Sequence, residues 1–245
     1  MRKNRIIVGM FVNNGRNLHQ ATLKDTTNPA YIKARQALNG GIYNGAYYYS
    51  REIVENIMPL VRTCRPWDTL GMRAVGSMNN AIVFLHHNLN WDRVYSWLDR
   101  YQNQIFVCSS KATYEWAISK GKKAIFLPLS IDVEYVQKFS TEKAKETCYA
   151  GNKWKFKEED LAKYLPKNID FPPKDLPREE LLKFIAPYKT CYAIGRCALE
   201  ARALGCKIRK CDSRYSPSDF KLLDNREAAA ILQKKLDEID NCGVI

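Results

Sequence analysis

Seven short strand candidates, most of them apolar, punctuate the chain, and their brevity constrains the fold more than any other feature: Ile6 to Val12, Ala81 to Leu85, Ile105 to Cys108, Ala124 to Leu127, Thr147 to Ala150, Thr190 to Ala193 and Lys207 to Lys210. Amphipathic stretches separate several of them. A run of four to seven apolar residues is a buried strand, and strands alternating with helices build parallel sheets. The expected class is therefore α/β. Helices are expected after Ser50, with Ile53, Val54, Ile57, Met58 and Val61 on one face, and over about Trp91 to Tyr101 behind a capping Asn90. Another starts near Pro177 with Glu179 and Glu180 beside its positive end. A last one has Asp224 as N-cap and Glu227 completing a capping box, with Ala228, Ile231, Leu232, Leu236 and Ile239 facing inward.

Hydrophobic content of 46% with 27% charged residues is ordinary for a globular protein, so disorder is not the default expectation, and 245 residues suffice for one large domain or two small ones. The apolar runs fall far short of the ~20 residues of a membrane-spanning helix. The opening "MRKNR" and its apolar stretch give way to "NNGRN" without a small-residue cleavage pattern, so they are read as the first strand of a cytoplasmic protein. None of the eight cysteines forms a C-x-x-C pair; they are expected to be buried, reduced thiols.

The formal net charge of +13 favours polyanions: nucleic acid, phosphorylated metabolites or an anionic surface. The polar stretch "FSTEKAK" divides two strand-helix series. This gives an N-terminal lobe at 1–138 and a C-terminal lobe with a closing helix at 139–245. Two such lobes would leave a ligand cleft between the carboxyl ends of their sheets.

The stretch "CYAIGRCALEARALGC" reads as a strand, the turn glycine Gly195 and a helix beginning near Arg196. Unpaired N–H groups and the positive dipole end at such a helix start suit a diphosphate, and a guanidinium adds a two-pronged donor. Glu200, one turn in, can accept from a ribose diol or be a surface residue of an amphipathic helix. "IVFLHHN" ends a strand in His86 and His87, either a structural pair or groups facing a ligand, with His86 the nearer to the strand. The aromatic stretches "YNGAYYYS" and "NWDRVYSWLDRY" suit packing more than base stacking, because a nucleic-acid surface needs basic residues interleaved on the same face.

Taken in order along the chain, these pieces resemble the retaining glycosyltransferases of the GT-B fold, especially the family-4 group. "CYAIGRCALEARALGC" is similar to that group's C-terminal signature, with Glu200 at its second glutamate and Gly195 at its second glycine. "YAGNKWKF" resembles the Gly-Arg segment that opens the C-lobe, and Ser130, Ile131 and Asp132 resemble the tripeptide between the lobes. "NGGIYNGAYYYSREIVENIMPL" resembles the glycine-rich first loop, which includes Gly45, and "IVFLHHN" resembles the strand ending in a histidine near the sugar. The extent of the match also resembles short glycosyltransferase-like proteins of bacteriophages.

The resemblance implies two small Rossmann-like lobes and metal-independent transfer of a sugar from a nucleotide-sugar such as a UDP-sugar, with no cofactor. It implies that Gly45, Gly151, Lys153, Lys155, Gly195, Arg196 and Glu200 bind the donor and that His86 or His87 lies near the sugar. Two departures stand out: Tyr192 replaces the first glutamate of the signature, and Asn152 replaces the arginine that meets phosphate. Three classes follow: a transferase acting on a glycan or a DNA base in the host cytoplasm, a non-catalytic relative binding nucleotide or nucleic acid, and a DNA-binding module driven by charge.

Overall fold

The structure is a computed structural model that describes residues 5–12, 16–17, 52–61, 64–65, 81–85, 104–150, 162–173, 176–213 and 215–242. Backbone contacts divide the chain into two compact units. The described residues of the first run up to Pro128 and resume with Asn225; those of the second run from Leu129 to Asp224. It is a mixed α/β protein, and no helix among the described residues is long and apolar enough to cross a membrane.

In the first unit, β1 (Arg5–Val12) pairs antiparallel with β2 (Arg16–Asn17) and parallel with both β3 (Cys64–Arg65) and β4 (Ala81–Leu85). β5 (Ile105–Cys108) and β6 (Lys123–Phe126) extend the sheet in parallel, giving the order β2-β1-β4-β5-β6 with β3 beside β1. Ile82 to Leu85 and Ile105 to Cys108 are buried throughout, as expected where both sheet faces are covered. Helix α1 (Lys111–Ser119) joins β5 to β6; its cap, Ser110, accepts from the Thr113 backbone N–H at 3.1 Å.

The helix expected after Ser50 is a π-type turn, Glu52–Ile57, followed by a 3-10 turn, Met58–Leu60. Pro59 explains the departure from regular geometry, because it supplies no N–H and its ring crowds the carbonyl four residues back. Ile53, Ile57 and Val61 are buried as expected. So is Glu52, whose Oε2 accepts from Asn56 Nδ2 at 2.7 Å and from Asn225 Nδ2. The expected helix over Trp91 to Tyr101 lies outside the described residues.

In the second unit, Asp132 caps α2 (Val133–Gln137), accepting from the Tyr135 N–H at 2.8 Å. The strands β7 (Lys145–Ala150), β8 (Tyr188–Ala193) and β9 (Lys207–Arg209) form a wholly parallel sheet in that order. α3 (Arg178–Ile185) leads into β8, and α4 (Arg196–Ala203) leads from β8 to β9. Cys148, Ala150, Cys191, Ala193 and Ile208 pack with Leu181, Leu182, Ile185 and Leu199 of these helices into one core. Six cysteines, Cys108, Cys148, Cys191, Cys197, Cys206 and Cys211, are buried free thiols, as the sequence suggests for them.

The last helix, α5 (Asn225–Cys242), belongs to the first unit and packs on the turns at Glu52–Leu60. Ala228, Ala229, Leu232 and Leu236 are buried, whereas Ile231, expected inside, is 37% exposed. The buried stripe passes through Ala229 rather than Ile231.

Candidate phosphate-binding site

The middle strand of the second sheet ends at Ala193, and the chain turns through Gly195 before α4 begins. Gly195 has φ 61° and ψ −137°, a backbone conformation that a side chain disfavours, and a Cβ there would meet no described atom within 4 Å. The glycine therefore serves conformation. The turn lies at the carboxyl end of a parallel strand, the position from which open α/β sheets present ligand sites. Gly195, at the N-cap position of α4, has no side chain with which to cap the helix, whose backbone N–H groups give this end its positive polarity.

Arg196 and Glu200 stand four apart on α4, on the same side of the helix, and both are buried. Arg196 Nε donates to Glu200 Oε1 at 2.9 Å. Arg178, the first residue of α3, donates from its own Nε to the same oxygen at 3.1 Å. The guanidinium of Arg178 also lies 5.1 Å from the Tyr135 ring centroid, and the Tyr135 hydroxyl donates to Glu179 Oε1 at 2.9 Å. Two guanidiniums thus share one fully buried carboxylate beside the Gly195 turn. A carboxylate withdrawn from water requires such partners. Its withdrawal rules out the reading of Glu200 as an exposed residue of an amphipathic helix.

The sequence reading brought Gly195, Arg196 and Glu200 together, and the structure holds them so. It missed Arg178, which it treated only as the start of a helix. The signal was indirect: an acid on an otherwise apolar or basic helix needs a cation, but only the packing of α3 against α4 shows which. Gly45, His86, His87, Gly151, Lys153 and Lys155 lie outside the described residues. Among the described residues, no three of His, Cys, Asp and Glu gather as a metal ion would require. Tyr192 is half-buried against Tyr149 and Cys211.

No protein-family model matches the chain, and neither a curated protein nor a solved structure matches it.

Proposed function

We propose that the chain is a glycosyltransferase-like protein of two Rossmann-like lobes that binds a nucleotide-sugar at the carboxyl end of the β7-β8-β9 sheet. One observation carries the reading: two guanidiniums, Arg196 and Arg178, are fixed on the buried carboxylate of Glu200 directly behind the positive-φ turn at Gly195. As a glycosidic bond to a diphosphate breaks, charge accumulates on the leaving oxygen. Cations and N–H groups already fixed in place stabilise that charge without reorganising.

In this reading Gly195 lets the backbone approach the diphosphate, and Arg196 meets it, with Gly151, Lys153 and Lys155 as further donors. Glu200, fully buried, orients the guanidiniums, and a ribose diol would share its carboxylate by displacing the groups that cover it. By the resemblance, Gly45 is a further donor-binding residue, and His86, with His87 next to it, serves the sugar. The acceptor is a glycan or a nucleic-acid base. The compartment is the cytoplasm, of the host where the gene is a phage's.

Isothermal titration with UDP, UDP-glucose and related donors tests this. Binding should appear in the micromolar to millimolar range and weaken at least tenfold in Arg196→Ala; silence with every donor at millimolar concentration overturns it. Tyr192 favours a second reading, because an aromatic ring packed on Tyr149 stands where the resemblance expects an acid for sugar hydroxyls. A protein that binds UDP yet neither hydrolyses nor transfers sugar from any donor is the non-catalytic relative. Turnover that Glu200→Gln abolishes excludes it.

A further inference from the structure

The second sheet has a face on which the nucleotide-sugar reading touches Tyr192 alone. Side chains alternate along a strand, and the register Thr190↔Lys207 and Tyr192↔Arg209 places these four residues on one face. Cys191 and Ile208 point to the other, where α3 and α4 cover them. Asp170 pairs parallel with Cys148 along the outer edge of β7, and the chain before it supplies cover to the first face. The Tyr149 N–H donates to the Asp170 carbonyl at 2.9 Å, and Leu165 and Ile169 pack on Tyr149.

Cover thins toward β9, which among the described residues pairs with β8 alone. Thr190 and Tyr192 are half-buried, and Lys207, Arg209 and Lys210 are exposed. Beside them Tyr164, also half-buried, has the Lys163 ammonium 5.7 Å and the Lys210 ammonium 5.8 Å from its ring centroid. Among the described residues two acids lie near this face, Asp170, which accepts the Tyr188 hydroxyl at 2.6 Å, and the buried Asp212; the exposed cations Lys163, Lys207, Arg209 and Lys210 outnumber them. Aromatic and basic side chains are therefore interleaved on one face of the sheet toward its β9 edge, in a chain of net charge +13.

We propose that this edge binds single-stranded nucleic acid. Tyr164 and Tyr192 stack on unpaired bases, while Lys163, Lys207, Arg209 and Lys210 meet the phosphates. A duplex keeps its base faces hidden, so stacking on a sheet selects single strands. The surface is independent of the diphosphate site, since Arg196 and Glu200 belong to the helix on the opposite face.

The test is fluorescence anisotropy of the full chain with a labelled oligonucleotide of about 15 nucleotides, between about 50 and 200 mM salt. Affinity should fall steeply with salt, and K207A/R209A should flatten the slope of log K against log salt by about 1.4. The variant K183A/K235A, which removes two exposed lysines elsewhere, should leave the slope unchanged. Tyr164→Ala should weaken binding about tenfold while Tyr164→Phe retains it, because stacking needs the ring and not the hydroxyl. Inorganic polyphosphate should compete poorly. Absence of binding at low salt, equal effects of the two double variants, or polyphosphate competing as well as the oligonucleotide overturns the proposal. UDP titration of Tyr164→Ala separates the two sites: its donor binding should be intact, so failure of one reading leaves the other standing.

Discussion

Arg178 Nε donates to Glu200 Oε1 across 3.1 Å, tying the first residue of α3 to the middle of α4. Arg196 donates to the same oxygen, and the three side chains are 12%, 5% and 0% exposed for Arg178, Arg196 and Glu200 respectively. Removing the carboxylate leaves two cations in a site poor in water. Glu200→Ala should therefore destabilise the protein by about 3–5 kcal/mol, and Glu200→Gln by less, since an amide oxygen still accepts. Urea unfolding followed by tryptophan fluorescence measures both. A loss below about 1 kcal/mol for the alanine variant would show that solvent reaches the cluster.

At Gly195 the strain of substitution comes from the backbone alone, because a Cβ would meet no described atom within 4 Å. With ψ at −137° it lies outside the left-handed helical region, so asparagine brings no relief. Gly121, φ 69°, ends the turn after α1 and offers the contrast. Gly195→Ala and Gly195→Asn should cost similar amounts, about 1–3 kcal/mol, whereas Gly121→Asn should cost less than Gly121→Ala. Denaturant midpoints of the four variants check this, and rescue of position 195 by asparagine would contradict it.

The contrast between the two sheets and the Glu200 cluster shows what a sequence can display. Ala81–Leu85 and Ile105–Cys108 have the ends expected of them, since a strand buried on both faces is an unbroken apolar run. β7 and β8 each begin two residues earlier than expected, at Lys145 and Tyr188. Those two residues pair with each other in register, and hydrogen bonding extends a strand past the end of its apolar pattern. The turn at Gly195 was legible because glycine is a local signal. The partnership of Glu200 with Arg178 was not, because 22 residues separate them and only tertiary packing closes the gap. The same holds for the face of α5, where periodicity alone admits Ile231 and Ala229 equally, and packing on the Glu52–Leu60 turns selects alanine.

A local signal with a strong consequence is Asp132. The helix it caps has only five residues, and its first turn takes two carboxylates: Asp132 Oδ1 accepts from the Tyr135 N–H at 2.8 Å and Asp224 Oδ2 from the Val133 N–H at 3.2 Å. Loss of a cap costs about 1 kcal/mol, and a helix this short has few other bonds to hold it. Asp132→Ala should lose about that amount and Asp132→Asn much less. In a double-mutant cycle with Asp224→Ala the two losses should not add, because both caps serve one turn. Strict additivity would show that each acts alone.

Alkaline pH provides a test of the cores through their thiols. Burial pushes Cys108 in β5 from 9.0 up to about 12, and burial with the nearby Asp212 pushes Cys211 from 9.0 up to about 12. A thiol whose folded pKa is raised holds its proton more tightly in the folded chain. Its contribution to stability is complete below pH 9 and is lost as pH climbs from there toward 12. Tyr149 and Tyr188, raised above 10.0 chiefly by burial, add their own losses from pH 10 upward. Within the window each such group steepens the decline by about 1.4 kcal/mol per pH unit. Urea unfolding of the parent protein and Cys108→Ala at steps between pH 8 and 11 measures the difference. The variant should start less stable, having lost a packed sulfur, and should then decline more shallowly, so that the gap between the two proteins narrows as pH rises. Parallel declines would mean that the Cys108 thiol ionises as freely folded as unfolded, and the tight covering of β5 would have to be given up.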